Sequence, residues 1–321
     1  MTTAGFDKAF GLAPIESVTA AGLARLLDEE GHFWRSALLW DFAPTRERLE
    51  AALGRGSLEG VLTRDEAGPC GYATYSSNDE SGVLGSLFVA ARARETGLEE
   101  ALAGAAIERL LARGPRVVDA QTLFSSAPGL LRPFAERGFQ SAARLYLTLD
   151  RSTFRSLQKA LPSLSPTRGV ARRDLPAVAR LVHSAHRATL DQDASSSFDT
   201  PESCEKILRQ IVVDDLCGPF DGEASRRIEV RGETLSVALI TWPLDGVAHV
   251  SEVATSPLFR RRGLGRRCLI EALAIAFGER RAEAATLSVT ASNIGARALY
   301  ASLGFTERTV YGSHVLRQSR P

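Results

Sequence analysis

Two stretches of this chain combine residue types suited to chemistry on a phosphorylated ligand. The first is Arg260-Arg261-Arg262-Gly263-Leu264-Gly265-Arg266-Arg267. It follows an extended run and opens a helical one. A helix start leaves about four backbone N–H groups unpaired and carries partial positive charge. Glycines let phosphate oxygens approach those groups, and the arginines add a local positive field. The competing reading is a solvated basic turn. The run is not the Walker loop, which needs G-x-x-x-x-G-K-[ST]. It is not the dinucleotide G-x-G-x-x-G either, because Cys268 stands at the third glycine, which disfavours a Rossmann oxidoreductase. The second stretch runs from Asn293 to Phe305, a helix with an Asn start, a Gly304 stop and a strand beyond. Asn293 and Tyr300 are spaced to share nearly one helix face, with Ala296 between them.

Elements of mixed type must position these stretches. Apolar spacing predicts helices over Glu16–Glu30, Thr45–Leu53, Gly97–Ala112 and Gly129–Arg137. It predicts extended runs over Ser57–Thr63, Cys70–Ser76, Val83–Val89, Arg116–Gln121 and Phe139–Leu149. Leu161–Pro166, with two prolines and two serines, reads as a linker. The same order then starts again. Helices are expected over Leu175–Arg187, Glu202–Asp214, Gly263–Phe277 and Asn293–Leu303. Strands are expected over Ser225–Arg231, Leu235–Trp242, Ala248–Thr255 and Ala285–Thr290, with more to Leu316. A single offset of 166 residues superposes Arg94 on Arg260, Gly97 on Gly263, Phe134 on Tyr300, Gly138 on Gly304 and Phe139 on Phe305. Five matches inside matching elements indicate duplication. The expected layout is residues 1–150, a linker over 151–166, and residues 167–321.

Composition bounds the rest. The 321 residues suit two domains, with 44% apolar and 24% charged residues as in ordinary globular chains. Lys+Arg total 39 against 38 Asp+Glu, a net +1. This gives no general case for nucleic acid or a polybasic membrane contact. Cys70, Cys204, Cys217 and Cys268 form no C-x-x-C pair, so neither a disulfide scaffold nor a zinc site is expected. A reduced, cytoplasmic setting fits, and neither a signal peptide nor a membrane span is read in the chain.

Val253-Ala254-Thr255-Ser256-Pro257 followed by R-x-x-G-x-G resembles the acyl-CoA signature of the GNAT acetyltransferase superfamily. The N-x-x-A-x-x-x-Y-x-x-x-G-F run resembles its second motif. The resemblance covers Thr167–Leu316 fully and Glu16–Leu149 as a weakened copy. It implies two tandem GNAT-like folds, each α/β with a mixed sheet. It implies that Val253, Ala254 and Thr255 offer main-chain groups to pantetheine. Arg261, Arg262, Gly263, Leu264, Gly265 and Arg266 would form the pyrophosphate loop. Asn293 would contact the cofactor arm, and Tyr300 would protonate the departing sulfur. The co-substrate is then acetyl-CoA or another acyl-CoA, the partner an amine acceptor, and no metal is called for.

The general base departs from the family pattern. Many members carry Glu where this chain has His249. Strand parity groups His249 with Ser251, Val253 and Thr255, so two readings stand: a cleft-facing proton acceptor, or an ordinary strand histidine. Glu252 is the rival base, but alternation sends it to the other face. Ser288 replaces the Glu of ribosomal-protein acetyltransferases, which weakens a protein N-terminal acetylation reading. His183, His186, Asp191, Asp193, Asp199 and Glu202 lie where the fold builds its substrate wall. In the first copy Glu95, Thr96, Glu99, Ala127 and Phe134 replace Arg261, Arg262, Gly265, Asn293 and Tyr300, so that copy is expected neither to bind CoA well nor to catalyse.

The expected activity is direct transfer of an acetyl group to a primary amine of a small molecule, by a monomer or homodimer. Two alternatives stand beside it. One is acetylation of a thiol-sugar amine, as in mycothiol-synthase-like tandem proteins. The other is a non-catalytic acyl-CoA sensor.

Overall fold

A computed structural model describes residues 10–123, 131–158, 167–187, 189, 192 and 194–318. The chain forms two compact units. One comprises Met1–Ala143 with Val310–Pro321, and the other comprises Arg144–Thr309.

In the first unit, β1 (Ala13–Pro14) and helices α1 (Ala20–Phe33) and α2 (Ala43–Gly54) precede strands β2 (Glu59–Asp65), β3 (Gly68–Ser77) and β4 (Ser81–Val89). Helix α3 (Leu98–Leu111), strand β5 (Val117–Thr122), helix α4 (Leu131–Ala135) and strand β6 (Gln140–Asp150) follow. The β1–β5 strands pair in sequence order, antiparallel except for the parallel β4–β5 pair. The core joins Leu23, Leu26 and Leu27 of α1 to Leu62, Tyr72 and Phe88 of the strands and Leu102, Ile107 and Leu110 of α3. Within it, Glu30 is fully buried and bonded by Trp34 and Tyr72. Burial raises its carboxyl to about 7.

The second unit contains helices α5 (Arg151–Gln158), α6 (Leu175–His186) and α7 (Pro201–Val212), then strands β7 (Arg226–Val230), β8 (Glu233–Leu244) and β9 (Val247–Thr255). Helix α8 (Leu264–Gly278), strand β10 (Ala284–Thr290), helix α9 (Ile294–Ala301) and strand β11 (Thr306–Arg317) complete the chain. The strand order in this unit is β6-β10-β9-β8-β7. The strand β8 is buried along almost its whole length. Its alternate residues feed two cores, as a two-residue period requires. Ala238 and Ile240 pack with Leu269, Leu273 and Phe277 of α8. Val237 and Leu239 pack with Val178, Val182 and Leu208 of α6 and α7.

The duplication is visible element by element at the 166-residue offset. Strand β4 begins at Ser81 and β9 at Val247, and α3 begins at Leu98 and α8 at Leu264. Gly97 and Gly263, the N-caps of those helices, have φ 83° and 79°. Glu95 and Arg261 share a left-handed φ of 62° and 63°.

The units nevertheless differ from the contiguous 1–150 and 167–321 layout. The last strand, β11, pairs antiparallel with β5 through Gly312–Arg317, so the carboxy-terminal residues belong to the first unit. Residues Arg144–Asp150 of β6 pair with β10 and belong to the second. The expected linker over 151–166 opens with α5, whose Phe154 is a fully buried core residue of the second unit. Residues 159–166, and with them the linker Leu161–Pro166, lie outside the described residues.

Candidate functional site

The strand β9 supplies one wall of the site. Its register against β8 runs Leu239↔Glu252 and then Ile240↔Val250, leaving Ser251 as a bulge. Against β10 it pairs in parallel only from Val247↔Ala284 to Val250↔Leu287. Beyond that point β10 no longer pairs with β9. The edge carrying Val253, Ala254 and Thr255 opens onto a cleft of about 790 Å³. Main-chain donors and acceptors along an unpaired strand edge are ready to bond an extended ligand.

The arginine loop forms the second wall. Gly263 adopts a left-handed φ that costs a residue without Cβ nothing, and it supplies no capping side chain to α8. The first-turn N–H groups of this 15-residue helix therefore lack an intrahelical partner and carry the positive end of its dipole. Gly265 lets the helix approach the strand: a Cβ there would lie 2.8 Å from Thr255 Oγ1, which is itself bonded to Ser236 Oγ at 2.9 Å. Arg261, Gly263, Leu264, Gly265 and Arg266 all line the cleft. Arg260 lines it too, and its guanidinium donates to the Ala185 carbonyl. Arg262 turns aside onto the Phe259 ring, 5.3 Å from its centroid. Arg267 pairs with Glu271 at 3.5 Å.

Helix α9 closes the third side. Asn293 lines the cleft, and its Oδ1 accepts the Ala296 N–H at 3.1 Å, capping the helix. Ala296, Leu299 and Tyr300 line the cleft from the same helix. Tyr300 is 8% exposed and meets Phe305 edge-on at 6.0 Å. Its phenol thus sits on the face shared with Asn293, as their seven-residue spacing requires.

His249 is placed differently from the parity expectation. The described residues lining the cleft do not include it. Its Nδ1 bonds Thr286 Oγ1 at 2.9 Å, and its ring stacks on Tyr146. Complete burial lowers its pKa to about 4. The cause is the bulge at Ser251, which breaks the alternation on which parity relied. Ala248 and Val250 face the α8 core, and so does Val253, so His249 and Val253 lie on opposite faces. A second histidine, His314 of the first unit, is likewise held at about 4 by burial.

A consequence for stability follows. A histidine whose pKa falls from 6.5 in the unfolded chain to about 4 in the fold favours folding fully above the unfolded value. That contribution is lost as pH falls through the window 6.5 to 4, on the order of 3 kcal/mol for each such group. Urea midpoints should therefore drop between pH 7 and pH 5, and His249→Gln should flatten that slope. An unchanged slope would remove His249 as its source.

The side chains that do meet at the cleft near β9 are His186 and Glu252. His186 lines the cleft from the end of α6, and its Nε2 lies 3.1 Å from Glu252 Oε1. Sequence reading puts His186 in the substrate wall and Glu252 on the other face of its strand, and it has no signal to join them. Asp191 and Asp193 lie outside the described residues. Among the described residues, no group of three or more His, Cys, Asp or Glu side chains could hold a metal ion, and no helix is long and apolar enough to cross a membrane.

The first unit keeps the scaffold and carries different side chains on it. Its parallel pair also stops early, at Leu84↔Ala120. Glu99 and Glu100 occupy the first turn of α3, where they offset the helix dipole. The Phe10 ring lies 3.8 Å from where a Gly97 Cβ would be. Phe134 is fully buried and stacks on His314 at 3.8 Å. Ala127 lies outside the described residues.

A mixed sheet with one splayed parallel pair, a glycine-capped helix at the splay and a second helix across it define the class as a GNAT fold, present twice. Solved structures share it. A tandem GNAT protein from the clavulanic acid biosynthesis pathway aligns over 97% of this chain and 99% of its own, with TM-score 0.56 and 16% identity. A GCN5-related N-acetyltransferase from Sphaerobacter thermophilus aligns over 81% and 82%, with TM-score 0.56 and 19% identity. An acetyltransferase from the GNAT family from Colwellia psychrerythraea aligns over 96% and 99%, with TM-score 0.53 and 10% identity. No curated protein matches by sequence. Residues 196–305 match the family described as Acetyltransferase (GNAT) family. The second unit is thus similar over those residues to GNAT acetyltransferases, and the chain as a whole has the fold of tandem GNAT proteins.

Proposed function

We propose that the second unit transfers an acetyl group from acetyl-CoA directly to a primary amine of a small molecule. The observation that carries this reading is the convergence of the α8 N-terminus, the open β9 edge and Tyr300 on one cleft. Backbone N–H groups of the loop and of α8, with Arg261 and Arg266, would hold the pyrophosphate. The β9 edge would bond the pantetheine amides and place an N–H near the developing oxyanion. The amine nitrogen attacks the thioester carbon, the C–S bond breaks, and the Tyr300 hydroxyl gives its proton to the sulfur. The four cysteines Cys70, Cys204, Cys217 and Cys268 do not line the cleft, in keeping with transfer without an acyl-enzyme.

Calorimetry should return one CoA per chain. CoA release should then be seen with at least one amine of a panel of putrescine, spermidine and kanamycin. The first unit should stay silent, so Glu99→Gly should leave the stoichiometry at one. Two equivalents in the native chain, one of them lost on changing the first-unit loop, would overturn the assignment of a single site. Tight CoA binding without turnover would overturn the transferase reading.

A further inference from the structure

We infer that His186, held by Glu252 behind it, takes the proton from the acceptor amine. This rests on the transferase reading above and assigns the base of that same site.

The geometry separates the two roles. His186 lines the cleft, and Glu252 does not. Their side chains are 13% and 10% exposed, and the Nε2–Oε1 distance is 3.1 Å. A cleft-facing imidazole with a carboxylate at one ring nitrogen is the arrangement of an oriented base. Two further contacts fix the ring. Phe198 stacks on it at 4.0 Å with 23° between planes. The neighbouring Ala185 carbonyl accepts from Arg260 of the phosphate loop, which ties the end of α6 to the loop.

Two features put negative potential beside the ring. His186 is the last residue of α6, where the helix dipole stabilises a cation. Glu252 adds a carboxylate at hydrogen-bond distance. Among the described residues, the charged or titratable groups on the neighbouring elements include Arg260 on the loop, Asp199 after the Ser196–Phe198 turn, Cys204 on α7, and His183 one turn back on α6. Cys204 senses both Glu252 and Asp199. His249 has the opposite surroundings, a buried site that disfavours its cation.

The proton balance is complete. A primary amine arrives as an ammonium with a pKa of about 10.4. It gives one proton to His186, which passes it to water. The freed lone pair forms the N–C bond, and the C–S electrons leave with sulfur. Tyr300 protonates the sulfur and regains a proton from the nitrogen as the adduct collapses. The same pair suits a cationic acceptor, because the ammonium approaches a carboxylate-backed ring.

The test is the pH dependence of kcat/KM for the full chain, using the best acceptor among putrescine, spermidine and kanamycin, with CoA affinity measured alongside. His186→Gln should lower kcat/KM roughly 10²- to 10³-fold, abolish the acidic limb of the profile, and leave CoA affinity within about twofold. Glu252→Gln should lower it about tenfold and move the acidic limb to lower pH, because the imidazolium loses its counter-charge. Glu252→Asp should restore part of the rate. A His186→Gln variant with the native rate and limb would overturn the base assignment while leaving the transferase reading intact. A native chain that binds CoA but acetylates none of these amines would overturn both.

Discussion

Replacing Tyr300 by phenylalanine is expected to lower kcat about 10²- to 10³-fold while CoA affinity stays within about twofold. The ring is nearly buried and packs edge-on against Phe305, so removing one oxygen leaves the packing in place. The cleft keeps its shape, because Ala296 and Leu299 set the same wall. What disappears is the only group assigned to protonate the leaving sulfur. A thiol of pKa about 8.5 departs more readily when it is protonated as it leaves, and general acids of this kind contribute 10²–10⁴ in rate. The measurement is steady-state CoA release with CoA calorimetry beside it. An unchanged kcat would remove Tyr300 from the chemistry. A parallel loss of CoA affinity would show that its hydroxyl binds rather than reacts. The first unit already carries phenylalanine at the matching position, Phe134, deep in its core.

Introducing into the second unit the residue that stands in the first, Gly265→Glu, is expected to weaken CoA binding about a hundredfold or more, ~2.7 kcal/mol. Two causes combine. A Cβ at this position meets Thr255 Oγ1 at 2.8 Å, and Thr255 can turn away only by giving up its bond to Ser236. The new carboxylate also neutralises the positive helix end that the pyrophosphate needs. Gly265→Ala separates these causes: it keeps the steric term and lacks the charge, so its loss should be about tenfold. The fold should survive, because an acidic residue in a first helical turn is favourable, as Glu99 is in α3. Calorimetry with CoA and a thermal melt decide the matter. Native CoA affinity in Gly265→Glu would place the pyrophosphate elsewhere.

Much of the fold was legible because its signals are local. The apolar stripe Leu269, Ile270, Leu273, Phe277 is buried as its spacing required. Helix α9 is capped by Asn293, as its position before an apolar run suggested. The helix α5 was missed because its segment adjoins a proline- and serine-rich stretch that reads as linker. The strand β4 runs two residues earlier than its apolar pattern, because Ser81 and Gly82 pair with Val117 and Val118 through backbone alone.

The facing of His249 departs from strict alternation for a physical reason that reaches beyond any local pattern. Strict alternation assigns His249 to the face of Val253. A single bulged residue, Ser251, reverses that face, and only its pairing against β8 reveals the bulge. Glu252 and His186 are 66 residues apart in the chain, and neither residue's neighbours encode the other.

By itself the sequence determined the duplication, the glycine-capped basic loop and the Asn293–Tyr300 helix. Each rests on backbone geometry or helical period, which neighbouring residues settle among themselves. Tertiary structure alone decided where β11 pairs, which face His249 takes, and that Glu252 meets the cleft-lining His186. Those outcomes depend on register between distant strands, and register is fixed only when every strand has packed against its partners.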